Sequence, residues 1–335
     1  MTKSRIKINY KVVILLTLCC IFFIFLGSEI YFNKFVIELD YSRIYVKANL
    51  SNLNQDIHVT KLLSKFSCSK KPIKLLVVVI SNVMYFQRRD TIRKTWGKRL
   101  DLHTTNDFRT FFAVAKTTDE TTQEKLENEI ATYGDVIQGD FYEDYYKLPR
   151  KTELVFEWAY KHCEFDYLLK ADDDVYVNLM ILFQFLDHPD TPKTKLYAGR
   201  QHVKTNVFRE GKLKVTFEEY GTKNYPDFCS GGSAILSRDV VGSIIPYFQK
   251  NPIRLEDVYT GMLMMNAGVV SRHVPSVRMF EKNCDYQNTT LAHHSEIHTK
   301  KRSCLLKLFY SMLAQNVESA FIRTHYINVM DDRGK

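Results

Sequence analysis

The chain has 335 residues, with 47 Lys and Arg against 38 Asp and Glu, for a formal net charge of +9. The basic residues are scattered rather than gathered into a tail, so the charge alone points to polyanions in general: nucleic acid, phosphorylated sugar donors, or anionic glycan and membrane surfaces. Cys68, Cys163, Cys229, Cys284 and Cys304 are spread too widely for a CxxC or zinc-ligand pattern. They are expected to form one or two disulfides and, being odd in number, to leave at least one free thiol.

At the amino terminus, Lys3, Arg5, Lys7 and Lys11 precede an apolar run from Val12 to Leu26, followed by Gly27-Ser28-Glu29. Basic residues before the run and an acid after it predict a cytoplasmic amino terminus with the bulk of the chain translocated. The run suits the thinner bilayers of the early secretory pathway. A cleaved signal peptide shares this profile, but Glu29-Ile30-Tyr31-Phe32 offers no small-x-small cleavage site. The expected organisation is a cytoplasmic tail over 1–11, a transmembrane signal-anchor over 12–28, a luminal stem over 29–71 and one folded domain over 72–335. This is type II topology. A luminal address removes nucleic acid as a partner and suits disulfides. The sequons Asn49-Leu50-Ser51 and Asn288-Thr289-Thr290 agree with it.

From Pro72 onward the pattern is that of one large α/β domain, near the upper limit for a single core. Ile73 to Ile80 is an almost unbroken β-branched and apolar run, the pattern of a strand buried on both faces. Gln87 to Arg99 should be helical, with Ile92 and Trp96 facing inward. Thr110 to Ala115 reads as a second strand, Gln123 to Ile130 as a charged surface helix and Asp135 to Ile137 as a short strand. Lys151 to Cys163 should form an amphipathic helix burying Leu154, Val155, Trp158 and Ala159. The strand Tyr167 to Ala171 then runs into Asp172-Asp173-Asp174, and Leu255 to Met265 is a further helix. Strands alternating with helices predict a Rossmann-like, doubly wound sheet.

Chemistry concentrates in a few places. Open α/β sheets bind ligands at the carboxyl ends of their strands, which is where the acidic triplet should surface. Adjacent carboxylates repel one another unless a cation sits among them, and hard divalent ions take oxygen ligands while bridging to phosphate. The alternative is a solvated turn, or Asp174 capping a helix that begins near Asn178. Arg88 to Gly97 carries basic side chains able to reach the same edge, or simply a solvated basic face. Glu256-Asp257 opens a helix, where carboxylates serve as dipole partners or, in a sugar-transferring enzyme, as the general base. Asp257 is the better base candidate and Glu256 the alternative. Ser230-Gly231-Gly232 is either a tight turn or a place where backbone approaches a ligand. His293, His294 and His298 are structural or complete the coordination of a metal held by carboxylates.

Taken in order and spacing, Arg89-Asp90-Thr91-Ile92-Arg93-Lys94-Thr95-Trp96-Gly97, Asp140-Phe141, Lys151-Thr152, Lys170-Ala171-Asp172-Asp173-Asp174-Val175-Tyr176-Val177, Tyr225-Pro226 with Ser230-Gly231-Gly232, and Glu256-Asp257-Val258-Tyr259-Thr260-Gly261 resemble the β-1,3-galactosyltransferase family of Golgi enzymes. The resemblance covers about Pro72 to Ser295. It implies a GT-A type fold with a mixed sheet and a type II Golgi anchor. It also implies a Mn²⁺-dependent, inverting transfer from a UDP-sugar to the 3-hydroxyl of an acceptor glycan on a glycoprotein or glycolipid. UDP-galactose is the expected donor, with UDP-N-acetylglucosamine and UDP-N-acetylgalactosamine as alternatives. A glycan-binding protein on the same fold is the reading from another functional class.

By position, Asp172, Asp174 and His294 resemble the metal-holding residues and Asp257 the catalytic base. Arg89, Arg93, Lys170, Asp172, Asp173, Gly231 and Gly232 fall on the donor side. Two departures stand out. Met262-Leu263-Met264 occupies a place where the family often has a Cys, so its usual disulfide is expected to be lost or moved onto Cys284. Lys147-Leu148-Pro149-Arg150 replaces a frequent Asn-Leu-Thr.

Overall fold

The computed structural model of the chain describes Cys68 and residues 72–98, 108–295 and 304–315. The expected tail and anchor lie outside the described residues, as does the stem apart from Cys68. Among the described residues no helix is long and apolar enough to cross a membrane.

Strand β1 (Ile73–Ile80) has the predicted bounds because both of its faces are buried. Leu76, Val78 and Ile80 join one apolar layer with Phe111, Leu154, Val155 and Trp158. Leu75, Val77 and Val79 join the other with Ile92, Trp96, Phe112 and Leu126. Around β1 come α1 (Phe86–Lys94), β2 (Phe108–Lys116), α2 (Glu120–Tyr133), β3 (Val136–Tyr142), α3 (Leu148–His162) and β4 (Phe165–Asp172). Side-chain and glycine signals set several ends. Asp119 accepts from the Thr122 N–H at the start of α2, and Gly134 closes that helix at φ 65°. Pro149, in the segment that departs from the family pattern, stands in the first turn of α3, where no N–H is needed.

Beyond β4 follow β5 (Val175–Val177), α4 (Leu179–Asp187), β6 (Tyr197–His202), β7 (Phe228–Ser237) and α5 (Arg238–Ile244). Then come α6 (Glu256–Asn266), β8 (Arg272–His273), β9 (Val277–Glu281) and β10 (Ala292–Ser295), with a last helix, α7, over 304–315. Asn178, not Asp174, caps α4: its carboxamide oxygen accepts from the Met180 and Ile181 N–H groups. The main sheet has seven strands in the order β3-β2-β1-β4-β7-β6-β8, and β5, β10 and β9 form a second, three-stranded sheet. Strands β1 to β4 pair in parallel, whereas β7 is antiparallel to both β4 and β6. The sheet is therefore mixed, with helices on both faces. Its order reverses between β1 and β4, where Ile80 lies opposite Asp172. That reversal is a ligand-binding crevice by topology.

Two disulfides, Cys68–Cys163 and Cys284–Cys304, close the domain, and Cys229 is a buried free thiol. Met262, Leu263 and Met264 are core residues, and Cys284 is joined to Cys304 instead.

Candidate active site

The acidic triplet leaves β4 at the crevice, and its three members do different things. Asp173 turns inward: it is buried, accepts a 2.7 Å hydrogen bond from Ser81 Oγ and pairs with Arg88 Nη1 at 2.6 Å. Asp174 faces outward between Arg88 Nη1 at 3.5 Å and His294 Nε2 at 3.6 Å. Asp172 is held by charge alone, with no hydrogen bond to its carboxylate among the described residues. Burial pushes it up to about 7; Lys170 opposes the rise, and Asp174, Glu256 and Asp173 add to it.

The second cluster comes from the far end of the domain. Lys170, 1% exposed on β4, donates to the Gly231 carbonyl at 2.6 Å and pairs with Glu256 Oε1 at 3.1 Å. Burial works against its charge, yet Glu256 and Asp172 hold it above the ordinary lysine value. Glu256 Oε1 also accepts from Thr152 Oγ1 at 2.9 Å and Thr260 Oγ1 at 3.2 Å. With three donors on one oxygen, Glu256 is a fixed strut. Among the described residues, Asp257 beside it accepts only from its own helix start, the Val258 N–H at 2.9 Å. Burial, with Glu256 next, lifts its carboxyl to about 6, the range in which a carboxylate works well as a base near neutral pH. Of the two carboxylates, Glu256 is thus fully engaged and Asp257 is not.

Gly231 and Gly232 are not in a turn. Both lie within β7, and a Cβ on Gly231 would stand 2.3 Å from Glu256 Oε2. At Gly231 the glycine makes room for the lysine–glutamate pair. At Gly232 a Cβ would make only ordinary contacts, the nearest at 3.4 Å with Asp172 Oδ2 at 3.6 Å.

Three donor-side expectations are corrected. Arg89 is 0% exposed, and its guanidinium is occupied by Glu129, Ser81 Oγ and the Asn82 and Val83 carbonyls. Arg93 is bound by Glu129 and Asp135 and stacks on Phe112 and Tyr133. Both side chains fasten α1 and its preceding loop to α2 and do not line a pocket. Asp173 likewise points into the fold. Arg88 entered the sequence reading only within its basic segment, and Tyr145 did not enter it. Arg88 touches both Asp173 and Asp174 while its guanidinium covers the Tyr85 ring at 4.1 Å. Tyr145, on a 3₁₀ turn over Tyr145–Lys147, has its hydroxyl pushed upward by burial and then by the charges of Asp257 and Asp172. The helical phase of Ile92 and Trp96 does not separate the two arginines, since Arg88 and Arg89 precede Ile92 by four and three residues; their counter-ions do. Nothing in the sequence marks Tyr145.

Asp172, Asp174 and His294 offer two carboxylates and an imidazole, a donor set suited to a hard divalent cation. Asp172 has no hydrogen-bond partner to lose on coordination. The three ligand atoms are not drawn within 4.8 Å of one another, so phosphate or solvent oxygens would have to complete such a shell. The only tight metal-type cluster among the described residues is Cys284, His293 and Cys304, and its sulfurs are joined in a disulfide.

The profile of the galactosyltransferase family matches residues 87–275, more than half of the chain. The human protein named UDP-GalNAc:beta-1,3-N-acetylgalactosaminyltransferase 1 is 32% identical over 228 residues, covering 66% of this chain and 68% of that protein. Human beta-1,3-galactosyltransferase 5 is 30% identical over 201 residues, covering 59% and 64%. Among solved structures, galactosyltransferase LgtC in complex with donor and acceptor sugar analogs aligns over 70% of this chain and 95% of its own, at 10% identity and a TM-score of 0.37. The chain belongs to the galactosyltransferase family and is accordingly a hexosyltransferase.

Proposed function

We propose that the enzyme adopts a GT-A type arrangement and transfers a hexose, galactose in the first reading, from a UDP-sugar to the 3-hydroxyl of an acceptor glycan with inversion. One observation carries this: buried Lys170 stands between the acidic triplet and Glu256-Asp257, so that one cation joins the two carboxylate groups at a single crevice. Asp257 takes the proton from the acceptor hydroxyl as it attacks. Glu256, fixed by Thr152, Thr260 and Lys170, keeps the base in place and does not itself exchange the proton. Arg88 holds Asp173 and Asp174 on the donor side. A divalent cation, Mn²⁺ by the family resemblance, would be held by Asp172 and Asp174 with His294, and would supply charge neutralisation for the departing diphosphate.

A second donor is favoured by the relatives themselves, since one is named for UDP-GalNAc and another for galactosyl transfer. Purified protein assayed with UDP-galactose, UDP-N-acetylgalactosamine and UDP-N-acetylglucosamine, on β-glycoside acceptors with Mn²⁺ or EDTA, tests the reading. A β-1,3 product that disappears with EDTA supports it; no transfer from any donor, or an α-linked product, overturns it. The same reading includes a type II Golgi membrane protein anchored by residues 12–28, which predicts retention in carbonate-washed membranes. Two disulfides agree with a luminal domain.

A further inference from the structure

Strand β9 contains an irregularity at the mouth of the crevice. In its parallel pairing with β10, Arg278 lies opposite His293 and Glu281 opposite Ser295. Met279 and Phe280 therefore stand against the single residue His294. The extra residue is a β-bulge, a feature that re-aims side chains and gathers near functional sites. Phe280 occupies it with φ 64°, the left-handed region that suits glycine and is an outlier for a bulky aromatic. Such strain persists where the surroundings or a function hold it.

Burial of the ring does not explain the strain. Phe280 is 54% exposed. Its neighbours are edge-on: the His294 ring centroid is 6.1 Å away at 78° and that of His202 is 6.4 Å away at 72°. His202 is itself fixed, stacked on Phe228 at 4.8 Å with its Nε2 2.7 Å from Ser230 Oγ. Two imidazoles thus stand nearly perpendicular to an aromatic ring that remains about half exposed. One of them pairs with Asp174, and the other is bonded to the residue preceding Gly231.

We propose that Phe280 is a sugar-stacking platform, its open face receiving the apolar face of a pyranose ring next to the Asp174–His294 pair. The inference rests on the sugar-transfer reading of the crevice and deepens it. The same ring chemistry is offered by the donor hexose and by the acceptor sugar, so the test has an arm for each.

Phe280→Gly and Phe280→Leu are compared with wild type by thermal melting, UDP affinity, saturation-transfer NMR with UDP-hexose and with acceptor glycoside, and steady-state kinetics. Removal of the ring should weaken one sugar by about three- to tenfold while leaving UDP affinity unchanged. Weakened UDP-hexose with unchanged acceptor assigns the donor sugar, and the reverse assigns the acceptor. Phe280→Gly, which adopts this backbone without strain, should melt at or above the wild-type temperature. Unchanged binding of both sugars, a lower melting temperature for Phe280→Gly, or failure of the wild type to bind either sugar would overturn the proposal. The NMR arm reports binding even in an enzyme that shows no turnover, so failure of this site and failure of the transfer reading are told apart.

Discussion

Asp257→Asn separates a base from a structural partner, because the two roles predict opposite changes in stability. Burial and Glu256 raise the Asp257 carboxyl from 3.8 to about 6. An ionised Asp257 therefore costs the fold, at 1.36 kcal/mol per pH unit, about 3 kcal/mol as an upper bound. Partial contact with solvent lowers this to about 1–2 kcal/mol. The sign follows from the direction. A raised carboxyl subtracts stability above its folded value, and the penalty fades as pH falls from about 6 toward about 4. Asparagine keeps the shape and its Oδ1 still accepts the Val258 N–H, but it carries no charge at any pH. The variant should melt about 2–6 °C higher than wild type at pH 7.5, and the difference should shrink as pH falls through 6. Turnover should fall by about 10²-fold or more with UDP affinity unchanged, and wild-type kcat/KM should decline below about pH 6. Paired melting curves at pH 7.5, 6 and 5, together with a radiolabelled transfer assay, decide the matter. A variant less stable than wild type at pH 7.5 would refute the charge argument. Transfer within a few-fold of wild type would remove Asp257 as the base.

The other expectations concern the ion pairs around the crevice. Asp174→Ala should abolish transfer that responds to Mn²⁺ while preserving the fold, since Asp174 is at the crevice surface; titrating the variant with Mn²⁺ checks this. Arg89→Ala should destabilise the domain by about 3–5 kcal/mol, because Glu129 would lose its buried partner. Arg88→Ala should also destabilise, because buried Asp173 would keep only its Ser81 hydrogen bond, but unlike Arg89→Ala it should weaken UDP binding as well; denaturant melts and calorimetry distinguish the two. Gly231→Ala should cost about 1–3 kcal/mol through overpacking and depress kcat more than donor KM, as the Glu256 strut is displaced from 2.3 Å. The Cys229 thiol, pushed up to about 12 by burial, should resist iodoacetamide in the native protein and react on unfolding, as mass spectrometry would show.

What the sequence made legible was what local pattern controls. β1 was read to the residue because all but Lys74 of its eight side chains are apolar, and α3, which begins three residues before its expected start, because Leu154, Val155, Trp158 and Ala159 recur at the helical period. The small sheet was not read, since β5, β9 and β10 span only three, five and four residues with mixed polarity, and pairing between distant segments leaves no trace in either one. The Gly231-Gly232 segment shows the same limit. A turn and a strand interior both tolerate glycine, and only the approach of Glu256, far along the chain, explains which one this is.

The arginines on α1 show why the type of residue located the site while its partners remained hidden. Arg89 is buried in α1 near Ile92 and Arg93 is largely covered beside it, and an arginine can be buried there only if acids from another element meet it. Glu129 and Asp135, on and just after α2, do so. Arg88, the residue before Arg89, is turned toward the crevice and its carboxylates. A single step of about 100° along the helix therefore decides between an arginine that holds the scaffold and one that faces the chemistry. Neither composition nor the Ile92 period resolves that step, because Arg88 and Arg89 precede Ile92 by four and three residues; the position of the counter-ions does. By the same reasoning, the buried Lys170 required an acid nearby, and Glu256 beside Asp257 answers it. The pair that links the two halves of the site is thus a consequence of burying one cation in a central strand.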